Sequence, residues 1–106
     1  MTKKQNERNE ALALLKDRLK ENDTIHAIVR SVSNSGMTRN ISFKAINDNE
    51  IIDLSWHIAK AMDYTFNDKR HAVKVGGCGM DMAFHVTHNL SRMLFNDGYK
   101  LKSRII

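Results

Sequence analysis

The sequence predicts an α+β domain, in which a small antiparallel sheet of three to five strands packs against an N-terminal helix, a short middle helix and a long C-terminal helix. Three observations predict it. Apolar residues recur at helical spacing near both ends of the chain, whereas the middle holds short β-branched runs separated by Asn, Asp, Ser and Gly. The length, 106 residues, fits one compact domain. No proline, internal repeat or low-complexity stretch marks a linker, so residues 1–106 read as a single unit.

Each element follows from its residues. Thr2 and Gln5 have capping-box spacing, and Ala11, Leu12, Leu14, Leu15 and Leu19 make an apolar stripe, so a first helix is expected over residues 3–21. Asn22-Asp23 stops it. Thr24 to Val32 is rich in β-branched residues and reads as a strand, broken by Ser33-Asn34-Ser35-Gly36. Asn40 to Ile46 resumes extended, with Ile41, Phe43 and Ala45 on one face and Ser42 and Lys44 on the other. After the Asn47-Asp48-Asn49 turn, Glu50 to Leu54 is a short third strand, and an antiparallel meander is the economical topology.

Ser55 is read as the cap of a short helix ending near Asp63-Tyr64, with Trp56, Ala59 and Met62 on one face. The polar loop Asn67 to Arg70 leads to a brief strand, Ala72 to Val75, and Gly76-Gly77-Cys78-Gly79 forces a further loop. From about Met80 to Asn96 the helical repeat returns through Ala83, Phe84, Thr87, Leu90 and Leu94, with Asp97-Gly98 as its terminator. In the tail, Tyr99, Leu101, Ser103 and Ile105 alternate with Lys100, Lys102, Arg104 and Ile106, so strand periodicity puts the three charges on one side.

Seventeen Lys and Arg against twelve Asp and Glu give a net charge of +5, with 42% hydrophobic and 27% charged residues. That composition excludes disordered and collagen-like chains. No apolar run approaches the ~18 residues that span a bilayer, and the start is polar, so no membrane association is expected. One cysteine, Cys78, makes no internal disulfide, which fits a reducing, cytoplasmic setting. Residues 1–20 hold six basic and three acidic residues, and the last nine hold three basic and no acidic residues. Residues 21–97 are nearly neutral, so the excess lies toward the two ends. If those ends lie side by side they form a polyanion-binding patch; otherwise they serve solubility.

Four segments carry candidate chemistry. Ser33 to Arg39 gathers hydroxyls, a glycine and a guanidinium in one turn, the usual partners of a phosphate oxygen, without the lysine or spacing of a P-loop. Alternatively its hydroxyls bond their own turn. Gly76 to Asp81 places Cys78 before a helix N-terminus, where its thiol pKa would fall, but Asp81 competes for the same amides and inert packing is the simpler reading. His85, His88, Asn89 and Arg92 form a polar stripe along the last helix, suited either to phosphates and bases or to solvent. Cys78 with these histidines and His57 or His71 lacks any zinc-ligand spacing, so no metal or other cofactor is expected. Finally, Lys100, Lys102 and Arg104 are spaced as a rail along a phosphate backbone, or as guards of an edge strand.

The segments Ser33 to Arg39 and Gly77-Cys78-Gly79-Met80-Asp81-Met82-Ala83-Phe84-His85 resemble a pattern found in small uncharacterised proteins of bacteriophages and mobile elements. The resemblance spans residues 28–95 and carries no activity onto individual residues. What it implies is context: small phage-borne proteins include inhibitors of host defence, anti-CRISPR proteins among them.

The expected function is non-enzymatic binding of structured nucleic acid, RNA ahead of DNA, in phage or mobile-element counter-defence. The expected contacts are Lys3, Lys4, Arg8, Ser33, Ser35, Arg39, His85, His88, Arg92, Lys100, Lys102 and Arg104. The alternative is a protein inhibitor that blocks a host nucleic-acid-processing or CRISPR complex. A thiol or metal enzyme centred on Cys78 is the third reading. Exposed sheet edges also make a homodimer reasonable.

Overall fold

Phe43 and Lys44 are neighbours in the chain, yet one is fully buried and the other reaches toward solvent, and the whole architecture follows that alternation. The computed structural model describes residues 2–32, 37–76, 79–96 and 100–106, with Gly79 and Met80 by backbone only. Along these residues run α1 (Lys3–Arg18), β1 (Thr24–Val32), β2 (Thr38–Asn47), β3 (Glu50–Asp53), α2 (Ser55–Met62), β4 (Thr65–Asn67), β5 (Ala72–Gly76), α3 (Gly79–Phe95) and β6 (Lys102–Ile105). The α+β class is as expected. The sheet, however, has six strands instead of three to five, and it is mixed, not wholly antiparallel.

The strand order is β4-β5-β2-β1-β6, with β3 also paired to β2. The meander β1-β2-β3 is antiparallel as read from sequence. Two features enlarge the sheet. Thr65–Asn67 forms the short strand β4, which its three residues did not announce, and the tail joins as β6 in parallel to β1. The pairing is parallel because α3 carries the chain back across the sheet before the tail begins.

Ile25 and Ala27 of β1, Ile41, Phe43 and Ala45 of β2, and Val73 and Val75 of β5 form the inward face. The three helices cover it through Ala11, Leu15 and Leu19, through Leu54, Ile58, Ala59 and Ala61, and through Ala83, Val86, Leu90 and Leu94. The capping box is present: the Thr2 amide donates to Gln5 Oε1 at 3.0 Å and the Gln5 amide to Thr2 Oγ1 at 3.2 Å. α1 ends three residues earlier than expected, because Leu19 turns extended and buries its side chain.

Ser55 does not cap α2. The outer edge of β2 is shared by β5 at Thr38–Ile41 and β3 at Lys44–Asn47, and neither strand reaches Phe43. Ser55 Oγ accepts from the Phe43 amide at 2.9 Å, while the Leu54 amide donates to the Phe43 carbonyl at 2.8 Å. The start of α2 thus fills a gap in the sheet, and Asp53 Oδ1 accepts from the Ser55 amide at 2.9 Å. Two aromatic assignments also change. Trp56 is 44% exposed and Phe84 48%, because the buried stripes run through Ser55, Ile58 and Ala59 in α2 and through Ala83, Val86, Thr87 and Leu90 in α3. The Asp97-Gly98 terminator, Cys78 and Tyr99 lie outside the described residues.

Candidate nucleic-acid interface

Among the described residues, no helix covers the face of the sheet opposite the three helices. Its composition follows from register. Arg104 of β6, His26 of β1, Lys44 of β2 and Asp53 of β3 stand abreast in one row, about 4.8 Å from strand to strand. Lys102 lies two residues before Arg104, and Ser103 between them points inward, where Thr87 of α3 donates to its hydroxyl at 3.4 Å. Farther along, Ser31, Asn40, Lys74 and Thr65 make a second row.

Between the rows, a register shift at Val29/Ser31 leaves Arg30 as the extra residue of a bulge, and its Nε donates to Ser42 Oγ at 3.0 Å. Ser42 in turn donates to the His71 carbonyl at 2.9 Å, so this hydroxyl on the open face is buried with both roles used. The second row borders a hollow of about 410 Å³ lined by Ser31, Thr38, Asn40, Asn67, Arg70 and Lys74. Its floor is hydrogen-bonded: Asn40 Nδ2 donates to Ser31 Oγ at 2.8 Å and Asn67 Nδ2 to Asn40 Oδ1 at 3.2 Å.

Arg30, Lys44, Arg70, Lys74, Lys102 and Arg104 therefore gather on or beside one open face. None of the six forms an ion pair with a described residue. Asp53 is the acid that shares their rows, and its carboxylate already accepts from the Ser55 amide.

The residues expected from sequence divide between the two sides. Lys102 and Arg104 belong to the open face, with exposed Lys100 just before their strand. Lys3, Lys4 and Arg8 belong to α1 in the helical layer. There Asp63, in the left-handed conformation after α2, meets Lys4 Nζ at 2.8 Å and Arg8 Nη2 at 3.9 Å. The hydrogen bond from Lys4 holds the Asp63 carboxyl below its ordinary range. Glu7 lies 3.9 Å from Lys60 in the same antiparallel pairing of α1 with α2.

His85 and His88 are exposed on α3, with His85 Nε2 3.0 Å from Asn89 Nδ2. Arg92 is exposed on the same helix. Arg39 follows the parity of Ile41 and Phe43, which turns it toward the helical side at the end of the sheet. Ser33 and Ser35 lie outside the described residues, as does Cys78. Among the described residues no three His, Cys, Asp or Glu side chains converge as a metal-binding group.

Arg30, Lys44, Arg70 and Lys74 went unnoticed in sequence because residues 21–97 sum to near neutrality. The signal was present in parity: Lys44 and Lys74 each stand between buried positions of a strand. No protein-family model matches the chain, and no curated protein or solved structure shows a significant match. Among the described residues no helix is long and apolar enough to cross a membrane.

Proposed function

We propose that this chain is a non-enzymatic binder of structured nucleic acid, RNA ahead of DNA, and that the open sheet face is its contact surface. The observation that carries the reading is the gathering of six cations on or beside that face, none in an ion pair with a described residue. Cations so placed gain affinity for phosphates by releasing condensed counterions. Sheets that bind single strands stack bases on aromatic rings, and the described strand positions of this face carry no Phe, Tyr or Trp. Backbone contact with a duplex suits it better. Ser31, Asn40 and Asn67 add the hydroxyl and amide groups that favour RNA through its 2′-hydroxyls. A role in phage or mobile-element counter-defence is the context we propose, on the resemblance of two segments.

The test is fluorescence anisotropy on a duplex RNA, the matching duplex DNA and single-stranded RNA over a range of salt. Exchanging Lys44, Lys74, Lys102 and Arg104 for Gln should reduce the salt slope by about 3–4 and weaken duplex RNA binding about 100-fold or more. Exchanging Lys3, Lys4 and Arg8 should change little. Equal losses from both sets, or no salt-dependent binding by the unaltered protein, would overturn the proposal.

One observation favours the second reading, a protein inhibitor of a host complex: Trp56 and Phe84 expose large rings on the helical side. On that reading Trp56→Ala weakens the interaction and salt does not.

A further inference from the structure

On the helical side, residues of α1, α2 and α3 line an open groove of about 560 Å³. One wall belongs to α3. Asn89, Arg92 and Met93 fall at i, i+3 and i+4 and share one helical face, and Asn96 follows the end of the helix with a left-handed backbone. Met62, at the end of α2, faces them, and Arg8 of α1 closes the third side. The groove is as large as typical small-molecule sites.

Its chemistry is divided. Two guanidiniums supply forked donors suited to phosphate oxygens, and none of the described lining residues is acidic. Arg92 has no ion-pair partner among the described residues, and Arg8 is held only at 3.9 Å by a carboxylate that Lys4 already engages at 2.8 Å. Met62 and Met93 offer soft, polarizable walls to a flat ring. The carboxamides of Asn89 and Asn96 carry the donor and acceptor types that read an adenine edge, with Asn89 Nδ2 also 3.0 Å from His85 Nε2.

We propose that this groove binds an adenine nucleoside monophosphate, its phosphate between Arg8 and Arg92 and its base between the two methionines. The site is separate from the open sheet face and does not depend on the function proposed for that face.

Isothermal titration with AMP, adenosine and inorganic phosphate tests it. Saturable AMP binding is expected, with adenosine and phosphate each weaker by about tenfold or more, since each lacks one half of the contacts. Arg92→Gln and Arg8→Gln should each weaken AMP about tenfold with the helical circular dichroism unchanged. Asp63→Asn should strengthen AMP binding several-fold, because it removes the carboxylate that competes for Arg8, and Asn tolerates the left-handed backbone at that position. Lys102→Gln with Arg104→Gln should leave it unchanged. The proposal fails if AMP does not bind, if phosphate binds as tightly as AMP, or if affinity follows Lys102 and Arg104 instead of Arg8 and Arg92.

Discussion

The two faces of this sheet are built from the same strands and do opposite work. On β2, Ile41, Phe43 and Ala45 point into the helical layer and are essentially inaccessible, while Asn40 and Lys44 point to the uncovered side. The inward face gathers apolar area and the outward face gathers charge, so stability and candidate recognition are segregated along one strand at a period of two residues. Neighbouring residues can then be changed with little shared consequence. Net charge along the sequence says little about such a protein, because a window of residues averages over both faces.

The largest expected effect comes from exchanging one residue of each kind. Phe43→Ala removes a fully buried ring from the centre of the inward face and should lower unfolding free energy by about 3–5 kcal/mol in urea denaturation. Lys44→Gln, one residue on, should stay within about 0.5 kcal/mol. Similar losses from the two would break the comparison. They would mean that the outward face also carries the fold.

A smaller effect sharpens it at the gap in the sheet. Ser55→Ala leaves the buried Phe43 amide without its 2.9 Å acceptor and should cost about 1–3 kcal/mol, with little change in the urea m-value. A helix cap at an exposed end would be worth less and would be rescued by Asn or Asp. Here neither rescues, because the hydroxyl serves a strand inside the protein. Recovery in Ser55→Asp would show that Ser55 acts as a cap after all.

Much of the fold was legible because its signals are local. The capping box, the β1 run, the parity of β2 and the alternation of the tail each need only a few residues to declare themselves. What was not legible depends on partners distant in the chain. β4 has three residues and exists because Val73 and Lys74 offer it an edge. Ser55 resembles a cap until Phe43 is placed beside it. Helical spacing groups Trp56 with Ala59 and Met62 and puts Phe84 in the repeat of α3, but the helices present smaller residues to the sheet: Ala59, Ala61 and Ala83 are fully buried. For the candidate site, the tail residues Lys102 and Arg104 were found by alternation. Lys44 and Lys74 obey the same rule, but they lie in a stretch whose charges nearly cancel, so the charge totals do not show them.

The smallest expected effect concerns pH and the seam between the layers. His57 sits in α2 with its Nδ1 buried and without a hydrogen-bond partner. Burial lowers its pKa from the ordinary value of 6.5, Arg18 lowers it further, and Asp53 opposes both. The neutral ring is therefore the form the fold prefers. At pH values below about 6.5 the unfolded chain takes up a proton that the folded protein resists, so its stabilising contribution is complete above that pH and declines as pH falls toward the depressed folded value. Denaturation midpoints compared between pH 7.5 and pH 5 should show this decline, and His57→Gln should flatten it without altering salt-dependent binding at the open face. If His57→Gln leaves the pH profile as it was, the acid sensitivity belongs elsewhere, and the seam between α1, α2 and the sheet contributes equally on both sides of neutrality.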